Sequence, residues 1–381
     1  MVMPWQARAG SSDCSQGSYR PLEWSALAPT PDAADQILLE SVQKPLQADD
    51  SSHAKARTNA FLLIKGDQLQ IEFNANRYGR ERKHLLWSIT KSLTNALVGV
   101  AVREGRLSLS QSVSHYFPYA PQMDKVTIDH LLTFSSGLDW RETYEGYSQP
   151  QRSSITTLLY GRGPSSIAQS LLSYKPKVPP GTRWAYSSGD TSWLSLVLRQ
   201  VYGTDYQTLP WDKLLTPLGI SKATFEADAE GLFFLSSYSY LRPRDLGKLG
   251  LFYRYRGCVN GRALLPQKGQ IPEAPDLDWV DWTRKPHPAL EAVQNTVTPQ
   301  TGQGGRHFWL NLSPSVNGKR PLYPSGPSDL LIAMGHWGQR LYIIPSWDLV
   351  VVRLADDRGD QAWDDERFLQ ALHRWKSSKE P

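Results

Sequence analysis

The sequence predicts an α+β fold in which an antiparallel sheet is flanked by helices and interrupted by a mostly helical insertion lobe. Three observations lead there. Hairpin signals lie near both ends of the chain, the long middle carries helical periodicity broken by Pro and Gly, and a last helical stretch follows the second strand pair. At 381 residues, with 40% hydrophobic and 21% charged residues, the chain has the apolar content for one large two-lobed domain. The organisation expected is an N-terminal extension over 1–55, then a single two-lobed domain over 56–381. Its sheet lobe takes about 56–85 and 300–381, and its helical lobe about 86–299.

The first hairpin pairs Ala60–Lys65 with Gln68–Phe73 across Gly66-Asp67, residues suited to a tight turn. The second pairs Arg340–Ile344 with Asp348–Leu354 around Pro345-Ser346-Trp347. Between them, helices are expected at Asp129–Thr133, Ile167–Leu172, Ser192–Val201 and Arg244–Tyr253, and a last one at Gln361–Trp375. The extension is polar and rich in Ser, Pro, Asp and Ala, with one short amphipathic candidate around Ile37, Leu38 and Leu39, and is expected to pack on the outside.

Several function classes are disfavoured by composition. The net charge of +5 comes from 42 basic and 37 acidic residues that are scattered, which is not a nucleic-acid footprint. Cys14 and Cys258 allow at most one bridge, and neither they nor the eight histidines show metal-ligand spacing, so no metal and no cofactor is expected. A GxSxG nucleophile elbow is absent. The N-terminus has no apolar signal region and no stretch has the length of a membrane span, so a soluble chain is expected.

Chemistry concentrates at Leu85-Leu86-Trp87-Ser88-Ile89-Thr90-Lys91. Apolar residues at Ile89, Leu93, Ala96, Leu97, Val100 and Ala101 recur at helical spacing and stop at Gly105, which predicts an amphipathic helix with Ser88 near its first turn. Lys91 then stands one turn after Ser88 on the same face. A serine needs a base to become a nucleophile, and a lysine serves only when burial and the positive end of a helix lower its pKa. Ser41 and Lys44 fit the same Ser-x-x-Lys pattern, but Pro45 follows and no long apolar helix continues. Two further blocks accompany the Ser88 pair. Gly181-Thr182-Arg183-Trp184-Ala185-Tyr186-Ser187-Ser188-Gly189-Asp190 presents Tyr186 and Ser188 toward one cavity ahead of a helix. Gly335-His336-Trp337-Gly338-Gln339 sets small residues around a polar-aromatic pair just before a strand.

In this order the blocks resemble the Ser-x-x-Lys, Tyr-x-Asn/Ser and Lys-Thr-Gly-type elements of the serine β-lactamase and penicillin-recognising superfamily. That superfamily includes class C β-lactamases, D,D-peptidases, esterases and 6-aminohexanoate-dimer hydrolase. Ile128-Asp129-His130-Leu131-Leu132-Thr133, Ser135-Ser136-Gly137-Leu138 and Pro179-Pro180-Gly181-Thr182 match as well, and the resemblance runs from about Phe61 to Leu354. It implies a β-lactamase/transpeptidase-like fold. Ser88 would be the nucleophile, Lys91 its base, and Tyr186 a partner in proton transfer. The backbone N–H groups of Ser88 and Gln339 would form the oxyanion hole, and Ser188, His336, Trp337 and Gly338 would contact substrate.

Ser188 and the His336 block depart from the lactamase pattern, so a small ester or amide is the expected substrate, with esterase ahead of amidase and β-lactamase. The alternative is a catalytically silent fold that binds a peptidoglycan fragment or protein partner, against which the intact Ser88, Lys91 and Tyr186 argue. Asp190 is expected either to orient Tyr186 or Lys91 or to cap the following helix. Glu142, Tyr144, Glu145 and Tyr147 fall in a loop that is either cleft wall or solvated surface. Trp279, Trp282 and Trp309 are expected in packing, and Trp337 at the border of the acyl pocket.

Overall fold

A computed structural model describes residues 14, 17–21, 24, 28–43, 56–144, 153–161, 166–286, 304–312, 321–358 and 363–380. Strand β1 (Thr58–Lys65) turns through Gly66, whose φ of +60° suits glycine, into β2 (Gln68–Asn74). The remaining strands of this sheet come from the far end of the chain: β3 (Trp309–Leu310), β4 (Leu331–Gly335), β5 (Gln339–Ile344) and β6 (Leu349–Ala355). They form one six-stranded sheet in the order β2-β1-β6-β5-β4-β3, every pair antiparallel. The seam between β1 and β6, with Phe61 opposite Arg353 and Leu63 opposite Val351, joins the two ends of the chain. That seam makes everything between β2 and β3 an insertion.

Alternation along the strands feeds two cores. Phe61, Leu63, Tyr342, Ile344, Leu349 and Val351 face a layer made by α1 (Ala33–Gln43) and the C-terminal helix Asp365–Ser378. Ala60, Leu62, Ile64, Leu341, Ile343, Val350 and Val352 face the insertion. With both faces covered, all of β6 is buried and reads as a continuous apolar run apart from Arg353. The N-terminal extension thus contributes a structural layer: Leu38 and Val42 are buried in it, and Trp375 Nε1 donates to Asp35 Oδ1 at 2.7 Å. Cys14 is disulfide-bonded to Cys258 and fastens the start of the chain to the insertion.

Helix α2 (Thr90–Arg103) departs from the amphipathic expectation. It is buried on all sides from Thr90 to Val102. Its polar residues face other protein groups instead of water, and burial of such groups is tolerable only when they are hydrogen-bonded. Ser92 Oγ donates to His307 O at 2.8 Å and Thr94 Oγ1 to Leu235 O at 2.8 Å. Asn95 donates to Arg306 O at 3.0 Å and accepts from Tyr253 at 2.8 Å and Trp279 Nε1 at 2.9 Å. Gly99 lets Trp279 approach, since a Cβ there would lie 2.7 Å from its ring. The sequence pattern could not show this because the polar face is satisfied by segments far away in the chain. Among the described residues no helix is long and apolar enough to cross a membrane.

Candidate active site

Ser88 lies in a single 3₁₀ turn, Trp87–Ile89, that runs directly into α2. The residue before it, Trp87, holds φ at +50°, a costly conformation for a bulky side chain. Phe134 (φ +53°), His307 (φ +62°) and Trp337 (φ +58°) share it; Phe134 and His307 line the cleft with Ser88, and Trp337 meets the ring of Trp87. Backbone strain of this sort persists where packing over-determines it, and it concentrates at functional sites.

A narrow cleft opens on Ser88 and Lys91, with walls from Phe134, Trp184, Tyr186, His307, Trp309 and Met334. Lys91 is buried, and its Nζ lies 3.2 Å from Ser88 Oγ, 2.9 Å from Ser188 Oγ and 2.9 Å from Ser236 O. Burial pushes this amine down to about 8, and the charge of Glu142 pulls it partly back up. Tyr186 lies with its ring 4.9 Å from Lys91 Nζ and 5.7 Å from the stacked ring of Trp309. Burial and Glu142 hold the Tyr186 hydroxyl far above the ordinary tyrosine range, while a hydrogen bond with Ser88 works in the other direction. The phenol therefore keeps its proton at neutral pH, and Lys91 is the group able to accept one. His307 is held neutral, pushed down to about 3 by burial and by Lys91.

Ser188 is buried behind Lys91 as the first residue of helix α3 (Ser188–Tyr202), so the structure puts it against the amine and not in the cavity wall. The cap of α3 is Ser187, which accepts from Asp190 N at 3.0 Å; the Asp190 carboxyl accepts instead from Ser136 at 2.7 Å. The third block forms the turn between β4 and β5. His336 stacks on Tyr144 at 5.2 Å and meets the edge of Trp87 at 5.5 Å, and Trp337 meets Trp87 at 5.3 Å. Gly338 packs against the buried Arg353–Asp357 pair, where a Cβ would lie 1.9 Å from the carboxylate. Gln339 pairs with Gly335 across the hairpin, and its side chain donates to Trp337 O at 3.1 Å and Ala355 O at 2.8 Å. Met334, one residue before that hairpin turn, supplies the cavity wall on this side. Trp279 and Trp282 are buried in packing as expected, whereas Trp309 lines the cavity.

Glu142 and Tyr144 belong to the site, a placement that sequence reasoning left open; Glu145 and Tyr147 lie outside the described residues. Glu142 Oε1 accepts from Ser188 Oγ at 2.6 Å and Oε2 from Ser188 N at 2.9 Å, and the carboxylate also takes hydrogen bonds from Trp140 Nε1 and the Tyr144 hydroxyl. The Tyr144 hydroxyl also interacts with Ser88. The Glu-x-Tyr spacing two residues after Trp140 is the signal that was available. His307 gave none.

The family model described as Beta-lactamase matches residues 60–374. The chain belongs to this family of serine hydrolases. Among curated relatives, 6-aminohexanoate-dimer hydrolase of Paenarthrobacter ureafaciens is 24% identical over 310 residues, covering 78% of this chain and 72% of that one. Two solved structures share the fold. EstCE1, described as a hydrolase with promiscuous acyltransferase activity, aligns at a TM-score of 0.64 with 17% identity, covering 91% of this chain and 100% of that one. A class C beta-lactamase in complex with cefoxitin aligns at 0.60 with 15% identity, covering 91% and 99%. The β-lactamase fold and the hydrolase class expected from the sequence are thereby established.

Proposed function

We propose that this hydrolase forms an acyl-enzyme on small uncharged esters, and on amides more slowly, with Ser88 as nucleophile and Lys91 as base. The observation that carries the reading is the 3.2 Å contact between Ser88 Oγ and a buried lysine whose pKa falls to about 8. Ser88 Oγ attacks the carbonyl carbon while its proton passes to Lys91, and the carbonyl oxygen gains the charge. The Ser88 N–H and the backbone of the turn Gly335–Gln339 stabilise that oxygen, Gln339 being the residue the resemblance assigns; such a donor is worth about 3 kcal/mol. The proton then reaches the departing alcohol or amine through Lys91 and Tyr186 as the C–O or C–N bond breaks. Water attacks the acyl-enzyme by the same route in reverse, releasing the acid and restoring Ser88.

Charge supports the choice of substrate. Lys91 is the one basic side chain among the cavity-lining residues described, its hydrogen bonds are taken up by Ser88, Ser188 and Ser236, and Glu142 stands behind it. A β-lactam or peptide carboxylate therefore finds no spare cation in this lining, and the third block offers His336 and Trp337 where a lysine would hold it; the cation beside that block, Arg358, lies over the Trp337 ring at 3.6 Å and pairs with Asp356 at 2.8 Å. Losing one charge-assisted contact forfeits roughly 1.5–3 kcal/mol, about one to two decades in rate. The test is kcat/KM for nitrophenyl acetate and butyrate against nitrocefin and an aminohexanoate dimer. The best ester should exceed nitrocefin by at least ~10-fold; nitrocefin turnover above the best ester would make β-lactam hydrolysis the function.

A further inference from the structure

We propose that Glu142 is a positioning residue for acyl transfer: by taking the Ser188 hydroxyl proton it fixes the direction of the hydrogen bonds around Lys91 and leaves the amine lone pair aimed at Ser88. The inference rests on the reading of Lys91 as base. It follows from counting hydrogens. A neutral amine has two N–H groups and one lone pair, and three oxygens stand within reach of Lys91 Nζ: Ser236 O, Ser188 Oγ and Ser88 Oγ. The Ser236 carbonyl can only accept. Ser188 Oγ carries a single hydrogen, and its shortest contact is the 2.6 Å bond to Glu142 Oε1, so toward Lys91 it too can only accept. Both N–H groups are thereby committed, and the remaining direction, with its lone pair, points to Ser88.

Without a carboxylate at Glu142 the Ser188 hydroxyl could turn and donate to the lysine lone pair, which would occupy the base. An amide cannot replace it. Glu142 accepts four hydrogen bonds, from Ser188 Oγ, Ser188 N, Trp140 Nε1 and Tyr144. A glutamine would set its NH₂ against two of those donors in either orientation, and in one orientation it would donate to Ser188 Oγ and reverse the relay. The placement itself is built into the fold. Trp140 lies on Gly189, where a Cβ would come within 2.6 Å of its ring, so the loop Leu138–Tyr144 seats closely on the start of α3.

The experiment compares Glu142→Gln, Glu142→Asp, Ser188→Ala and the Glu142→Gln/Ser188→Ala double variant on a nitrophenyl ester, with full pH profiles and melting temperatures. Glu142→Gln should lower kcat by at least ~100-fold with KM within a few-fold, the loss expected when a general base is disabled. The acidic limb of kcat/KM should move to lower pH, because the carboxylate that raises Lys91 is gone. The other titratable groups around Lys91 are Tyr144 from the loop, Tyr186 and Asp190 from the tyrosine block and α3, and His307. Asp190, pushed up to about 7 by burial, is checked with Asp190→Asn, which should leave the limb in place. Since Glu142 acts through Ser188, adding Glu142→Gln to Ser188→Ala should cost only a few-fold. Glu142→Asp keeps the charge and should keep the limb, recovering at least ~10-fold of the glutamine loss; it carries the test if the glutamine variant does not fold.

A glutamine variant within a few-fold of the parent, a limb that stays put, an equal loss in the Ser188→Ala background, or an aspartate variant whose limb moves as if uncharged would each overturn the proposal. Lys91→Ala separates the two levels of the account. If it keeps near-parental rates, the base assignment itself is wrong; if it is inactive while Glu142→Gln is normal, only the positioning role falls.

Discussion

Raising the pH from about 6 to about 8 should increase kcat/KM for a neutral ester by roughly 50-fold, the ratio of neutral lysine present at the two values for a group titrating near 8. The perturbation is pH alone, and kcat/KM reports the free enzyme. Burial lowers the Lys91 amine from its usual range to about 8, so its neutral form is about 1% of the total at about pH 6, 10% at about pH 7 and half at about pH 8. The sign is fixed by the chemistry: the active form lacks the proton, so activity rises with pH. Other groups in the cavity give different profiles. Tyr186 stays protonated throughout, and His307, at about 3, is already neutral at the acidic end. The assay is initial-rate hydrolysis of nitrophenyl butyrate at constant ionic strength, corrected for spontaneous hydrolysis. A flat profile would refute the reasoning, as would a limb near pH 7 that disappears in Asp190→Asn, since Asp190 is pushed up to about 7 by burial.

Tyr186→Phe should lower the acylation rate by at least ~100-fold while leaving substrate affinity less affected, which pre-steady-state bursts would resolve. Asn95→Ala should destabilise the fold by about 2–4 kcal/mol, because it strips the buried Trp279 Nε1–H and Arg306 carbonyl of a partner, and denaturant titration would measure it.

Much of this architecture is legible in the sequence, for local reasons. The two hairpins show because strand alternation and turn residues sit side by side, as at Gly66-Asp67 and Pro345-Ser346-Trp347. Ser88 and Lys91 show because one helical turn is enough to bring them together. Ser41 can be set aside for an equally local reason: it lies in the last turn of α1, where its Oγ donates to Leu38 O at 2.7 Å. What was not legible depends on contacts between distant segments. The polar face of α2 looks solvent-facing until Tyr253, Trp279, Arg306 and His307 arrive from elsewhere in the chain. Ser188 reads as a cavity residue until Glu142 draws its hydroxyl behind Lys91. Glu142 itself sits in a loop whose charged and aromatic residues would suit a solvated surface as well as a site.

The central claim is that Ser88 alone is the acyl acceptor. Incubation with a fluorophosphonate followed by intact-mass analysis tests it most directly. One adduct is expected on the parent and on Ser41→Ala, located at Ser88 by peptide mapping, and none on Ser88→Ala, with ester turnover lost in step. Labelling that persists in Ser88→Ala, or an unmodified parent protein, would contradict it.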